Sequence, residues 1–242
     1  NEFLFLSDFF KKGVRENFNS SFGRTLALVL ENLENYLLGC YDVIGLMLMI
    51  KVTHLQRLVM QRRRVPILDA FFDRISLLLW PRLKFVLDAN LKAMRGTSLA
   101  RMGIVDLTPH YITRRYAELF ASMLLLQQAS GSGKLGGGGG FEGGAPADSM
   151  GIAGGGEAML SQDLCTMRVE MSTLLERLAT QLPGAKEQRV FLINNLDQVL
   201  QVAQERQVEM NAELQQLEDM LLQQRELYTE DELAHSFSNL TS

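Results

Sequence analysis

An all-α fold is predicted for this 242-residue sequence, arranged as an elongated bundle of stacked long helices with a disordered glycine-rich linker. Three observations predict it. Apolar residues recur at three- and four-residue steps through most of the chain, the period of a helix with one buried face. No run of alternating β-branched residues offers a strand. A glycine run separates two helical parts, giving a helical-rod domain at 1–129, the linker at 130–156 and a continuing, coiled-coil-like rod at 157–242.

The first long helix is predicted over residues 20–64. Leu26, Leu30, Leu33, Leu37, Cys40, Ile44 and Met47 fall on one face, and at 1.5 Å per residue the rod would be about 65 Å long. From Val43 to Ile50 the helix is apolar nearly all round, so cover on more than one side is expected. That uninterrupted run lies between Asp42 and Lys51. It is too short to span a bilayer, which needs about 20 apolar residues, and a buried bundle helix is the expectation. Arg62, Arg63 and Arg64 close the helix, where positive charge suits the carbonyl end of the dipole.

Val65-Pro66 ends it, because proline pushes the preceding residue out of helical geometry. A second helical segment follows, and Pro81 within it predicts a kink or a break. Thr108, as a hydroxyl cap before Pro109, predicts the start of a third helix that runs to about Gln128. Residues 131–156 then hold thirteen of the twenty glycines. Glycine loses the most backbone freedom on folding, so the run reads as a flexible linker. An amphipathic helix at 157–182 stops at Pro183-Gly184. The last long helix starts near Ala185, with a seam of Leu196, Leu200, Ala203, Met210, Leu214, Leu217 and Leu221 interrupted at Gln207. Twelve of the 26 residues from Gln201 to Glu226 are Gln or Glu, which makes a narrow apolar seam on a polar rod, as in coiled coils. TEDE at 229–232 reads as the capping box of a short final helix.

Charge is unevenly spread under a net −4. Residues 51–115 carry thirteen Lys or Arg against four Asp, and residues 185–235 carry four basic against eleven acidic. Solvated helix faces account for this, and so would a basic surface that meets anionic lipid or an acidic partner. Cys40 and Cys165 suggest neither a disulfide framework nor a metal knuckle and suit a reducing compartment. The opening NEFLFLSDFF has no initiator Met, basic n-region or cleavage site, and is read as an internal start of a longer protein.

The search for chemistry returns little. GSGKLG at 131–136 fits G-x-G-x-x-G, but no strand precedes it, and Leu135 stands where a phosphate loop needs Ser or Thr. His54, His110 and His235 are far apart and form no H-x-x-x-H pair. The densest polar stretch, TPHYITRRYAE at 108–118, reads as structural: Arg114 and Glu118 as an i,i+4 pair, Tyr116 on the apolar face with Ile112, Leu119 and Phe120. No catalytic, cofactor-binding or metal-binding residue is assigned.

Three blocks carry a resemblance: LLWPRLKFVLDANLKAMR (78–95), TPHYITRRYAE (108–118) and KEQRVFLINN (186–195), in that order. Together with GRTLALVLENLENYLLGCYDVIGLMLMI they resemble the vacuolar protein sorting-associated protein 52 family, of the Golgi-associated retrograde protein complex. The resemblance covers roughly residues 2–129 and 185–203. It departs in the length of the glycine run, at Leu196-Asp197, and in the Gln/Glu-rich end. What it implies is a non-catalytic subunit of a multisubunit vesicle tether with stacked helical rods. Its implied partners are the other complex subunits, syntaxin-class SNAREs and small Golgi GTPases. The implied location is peripheral, on the cytosolic face of the trans-Golgi network and endosomes. Read without the resemblance, a membrane-surface module acting through residues 51–115 stays open, and an enzyme on a helical scaffold is the remaining alternative.

Overall fold

The computed structural model describes residues 2–9, 13–131 and 150–237. Among them every regular element is helical: α1 (Glu2–Phe9), α2 (Val14–Leu38), α3 (Val43–Arg62), α4 (Asp69–Gly96), α5 (Tyr111–Gly131), α6 (Met150–Ala179), α7 (Ala185–Glu205) and α8 (Ala212–Phe237), with 3₁₀ turns at Pro66–Leu68 and Leu99–Arg101. The fold is an all-α helical bundle. It divides into two compact units, one from residues 1–87 with 145–156, the other from 88–144 with 157–242.

In the first unit the predicted helix over 20–64 is broken in two. Gly39 ends α2, and the carbonyl of Leu37 accepts from the Cys40 N–H at 3.2 Å. Asp42 is extended and caps α3, its Oδ1 accepting from the Gly45 N–H at 3.0 Å. The Cys40 carbonyl, freed by the break, accepts from Arg82 Nε at 2.8 Å, while the guanidinium lies 4.8 Å from the centroid of the Tyr41 ring and 5.0 Å from that of Phe85. A glycine, a capping aspartate and a distant arginine thus outweigh an apolar stripe that reads as continuous. The stripe itself is sound: Leu37, Cys40 and Met47 are buried, with Leu26, Leu30, Leu33 and Ile44 half-buried. Asp42→Ala is expected to cost about 1 kcal/mol, the usual worth of an N-cap, read as a lowered urea midpoint.

The α3 boundary at Val65-Pro66 falls as predicted. Arg64 adopts a left-handed φ of 54°, and Val65 N–H reaches back to the Met60 carbonyl at 3.0 Å, closing the helix end. Pro81 does not break α4, which runs on through it. The proline and Leu77, whose carbonyl loses its i+4 donor, are both exposed, so water can take that carbonyl's bond. Leu79, Leu83, Val86 and Leu87 bury the opposite side.

Residues 132–149, most of the predicted linker including nearly all of GSGKLG, lie outside the described residues. Residues 150–156, also assigned to the linker, are the first turns of α6. Gly156 is needed there: a methyl group in its place would strike the Trp80 indole.

In the second unit α7 packs against both α5 and α8. The predicted last long helix breaks at Gln207, which takes φ 57° while Val208 N–H bonds the Ala203 carbonyl at 3.0 Å. Asn211 then caps α8, its Oδ1 accepting from the N–H groups of Glu213 and Leu214, each at 3.0 Å. Gln128 of α5 clamps the connection, donating to the Glu209 carbonyl at 2.6 Å and accepting from its N–H at 3.1 Å. Of the predicted seam, Leu196, Ala203, Leu214, Leu217 and Leu221 are buried, Leu200 is half-buried, and Met210 is exposed in the connection. TEDE starts no helix. It lies within α8, where Asp231 pairs with Arg189 and Glu232 with Lys186 at 2.6 Å. These acids serve the antiparallel α7–α8 hairpin, whose third pair is Arg225–Asp197 at 2.9 Å.

Candidate functional site

Two of the sequence blocks that carry the resemblance meet in the second unit. Helix α7 is amphipathic with one polar exception on its buried side, Asn195, which is fully buried. Its Oδ1 accepts from the His110 N–H at 2.8 Å and from the Thr113 hydroxyl at 2.6 Å, while its Nδ2 donates to the Phe191 carbonyl at 2.7 Å. One side chain therefore satisfies the amino end of α5 and ties it to α7. Its neighbour Asn194 donates to the Leu107 carbonyl at 2.7 Å, fixing the loop before α5.

His110 is buried beside this lock. Its Nε2 lies 2.9 Å from the Met102 carbonyl, so Nε2–H donates there and Nδ1 faces the Ile112 N–H at 3.4 Å. The predicted cap is displaced accordingly. Thr108 does not start α5; its N–H and hydroxyl both donate to Asp106 Oδ1, at 2.8 and 2.5 Å, and the helix begins at Tyr111. The Thr108 hydroxyl, then its N–H, hold the Asp106 carboxyl below its ordinary value. A depressed carboxylate contributes stability above its unfolded pKa and loses it as pH falls through the folded value. The Thr108 amide resonance is therefore expected to hold its position through the ordinary aspartate range and to move only at lower pH.

The predicted Arg114–Glu118 pair is replaced by a longer-range one: Glu118 binds Arg206 at the end of α7, 2.5 Å away. An interhelical partner is better placed here than one on the same helix. Tyr116 is buried and stacks on Phe120, ring centroids 5.1 Å apart. Burial raises its phenol well above the ordinary value. Nearby, Arg168 of α6 pairs with Glu213 of α8 at 2.7 Å. Burial works to lower the Arg168 pKa, and the Glu213 hydrogen bond and charge outweigh it, so the net shift is upward. Sequence reading missed this pair and the Asn195 lock. An asparagine at a core-facing position of an amphipathic helix is the signal that could have found the second.

An open groove of about 540 Å³ lies against the lock, lined in part by Pro109, Val190, Asn194, Asp197 and Gln198. Asp197 is held by Arg225. Of the other histidines, His54 is exposed on α3, and the side chain of His235 lies outside the described residues. Among the described residues no group of three or more His, Cys, Asp or Glu side chains converges.

What the geometry defines is a helical-bundle protein whose buried polar groups hold helix to helix and whose apolar faces are only partly covered. The family profile described as Vps52, C-terminal, matches residues 1–229. Vacuolar protein sorting-associated protein 52 A of Arabidopsis thaliana is 34% identical over 239 residues, covering 99% of this chain and 30% of that protein. The human vacuolar protein sorting-associated protein 52 homolog is 31% identical over 244 residues, covering 100% and 30%. The Caenorhabditis elegans homolog is 28% identical over 207 residues, covering 83% and 26%. No solved structure matches. The chain belongs to the Vps52 family, and it spans about 30% of the length of the first two relatives.

Proposed function

We propose that this chain is part of a non-catalytic subunit of a vesicle-tethering complex acting in retrograde transport from endosomes to the trans-Golgi network. It works by helix-mediated assembly with other subunits of the complex, with syntaxin-class SNAREs and small Golgi GTPases as further partners. The observation that carries this reading is the match along essentially the whole chain to relatives named for vacuolar protein sorting. Partly covered helix faces support it, since such faces suit docking against other helices. The test is affinity purification of the full-length protein from cells with identification of its companions. Several large helical subunits are expected; a lone monomer with no companions ends the reading.

A second reading, attachment to a membrane surface through residues 51–115, has one observation of its own. Among the described residues, Val43–Arg62 is the helix long and apolar enough to cross a membrane by length and composition, with mean hydropathy 1.5 over its 18-residue window, 17% of it buried. That reading requires salt-sensitive binding to anionic vesicles that is lost on charge reversal at Arg62, Arg63 and Arg64. Unchanged binding removes it.

A further inference from the structure

The composition of α3 led one to expect cover on more than one side, and the structure covers only one. Val43, Leu46 and Met47 are buried in the first unit, and Arg57 anchors the same side through Asp73 of α4 at 2.7 Å. The opposite side is apolar and open: Leu48 is 46% exposed, Val52 55% and Leu55 38%, with Val59 half-buried beyond them. The steps along this row are four, three and four residues. That is the 3.5-residue cadence of a seam that receives knobs from another helix. The row ends at exposed Arg62 and Arg63, with Lys51 on its flank, and the whole helix contains no acidic residue.

We propose that the Leu48–Val52–Leu55–Val59 face of α3 docks an amphipathic helix of a partner subunit, one that presents apolar residues at the same cadence with acidic residues beside them. Two features select a helix over a lipid surface. The open strip is a narrow seam, whereas interfacial helices sink a wide apolar face. It also contains no Trp, Tyr or Phe to anchor at headgroup depth. Charge selects the acidic flank, because the exposed Arg62 and Arg63 at the end of the row repel a basic partner and steer an acidic one. The proposal rests on the tether-subunit reading and names the surface that reading would use.

The test places a photo-crosslinking benzoylphenylalanine at Val52 in the full-length protein, purified from cells with its companions, and maps the crosslinked segment by mass spectrometry. The expected product is one segment of a companion subunit with apolar residues at four- and three-residue steps and flanking Glu or Asp. Reversing Arg62 and Arg63 to Glu should lower its yield about tenfold, the effect of losing roughly 1.4 kcal/mol. Companions that co-purify while Val52 crosslinks to none of them, to lipid, or to a basic or non-helical segment overturn the docking face and leave the tether reading standing. A protein that purifies without companions overturns both. The triple variant L48S/V52S/L55S supplies a second reading: exposed positions leave the fold intact, and far-UV circular dichroism should be unchanged. Undiminished recovery of the crosslinked companion with this variant would also overturn the proposal.

Discussion

Replacing Asn195 by alanine should destabilise the second unit by about 3 kcal/mol, because it strips two buried donors of their acceptor at once. The His110 N–H and the Thr113 hydroxyl both point at Asn195 Oδ1, and Thr113, like Asn195, is fully buried. Water cannot reach these groups without opening the packing between α5 and α7. The local readout is amide hydrogen exchange, with the His110 amide losing protection far beyond the global change. A loss under about 1 kcal/mol would mean that other acceptors replace Asn195. Asn195→Asp adds a sign test. Its carboxylate would face the Phe191 carbonyl where Nδ2–H now donates, so the folded state would hold the acid protonated and raise its pKa. A raised folded pKa gives stability present below the unfolded value and lost as pH rises through the folded one. The variant should therefore recover in mild acid, while Asn195→Ala should not.

Phe191→Ala should cost about 3–5 kcal/mol, the range for emptying a fully buried aromatic site. Phe191 has no exposed surface and lies on α7, the helix shared by the α5 and α8 contacts. A cavity there loosens both partners, so little of the lost volume can collapse. Thermal denaturation checks it, with Phe191→Leu expected to show only a minor part of that loss. The two substitutions should not add. Asn195 Nδ2 bonds the Phe191 carbonyl, and side chains one turn apart share the same packing, so a coupling energy is expected from the double variant.

Much of this was legible in the sequence, and the losses have physical causes. The all-α class followed from helical spacing, which survives any choice of partner. The stripe from Leu26 to Met47 faces inward as its period requires, yet the helix carrying it is two helices. Periodicity reports which side is buried and is blind to a short break that keeps the phase. The break depends on Asp42 as a local cap, which the sequence reading placed inside a continuous helix, and on Arg82 reaching Cys40 from another helix of the same unit, which no local pattern signals. Gln207 shows the same limit. It was recognised as an interruption of the seam, but a non-glycine residue in left-handed geometry carries no signature of its own. TEDE misled because a capping box is a local pattern, and Lys186 and Arg189 claim its acids from another helix. The polar lock was half legible: TPHYITRRYAE and KEQRVFLINN stood out as blocks, and only the fold brings Asn195 against His110 and Thr113.

The α7–α8 hairpin has a kinetic consequence. Its two helices are joined by the few residues between Glu205 and Ala212, so its contacts are local and should form early, within the microseconds typical of short helical pairings. The α5–α7 pairing must instead gather ends separated by everything from 132 to 184. Closure entropy grows only logarithmically with such a span, about 0.6 kcal/mol for each doubling. Inserting residues into that span should therefore slow the second event slightly and leave the final stability nearly untouched.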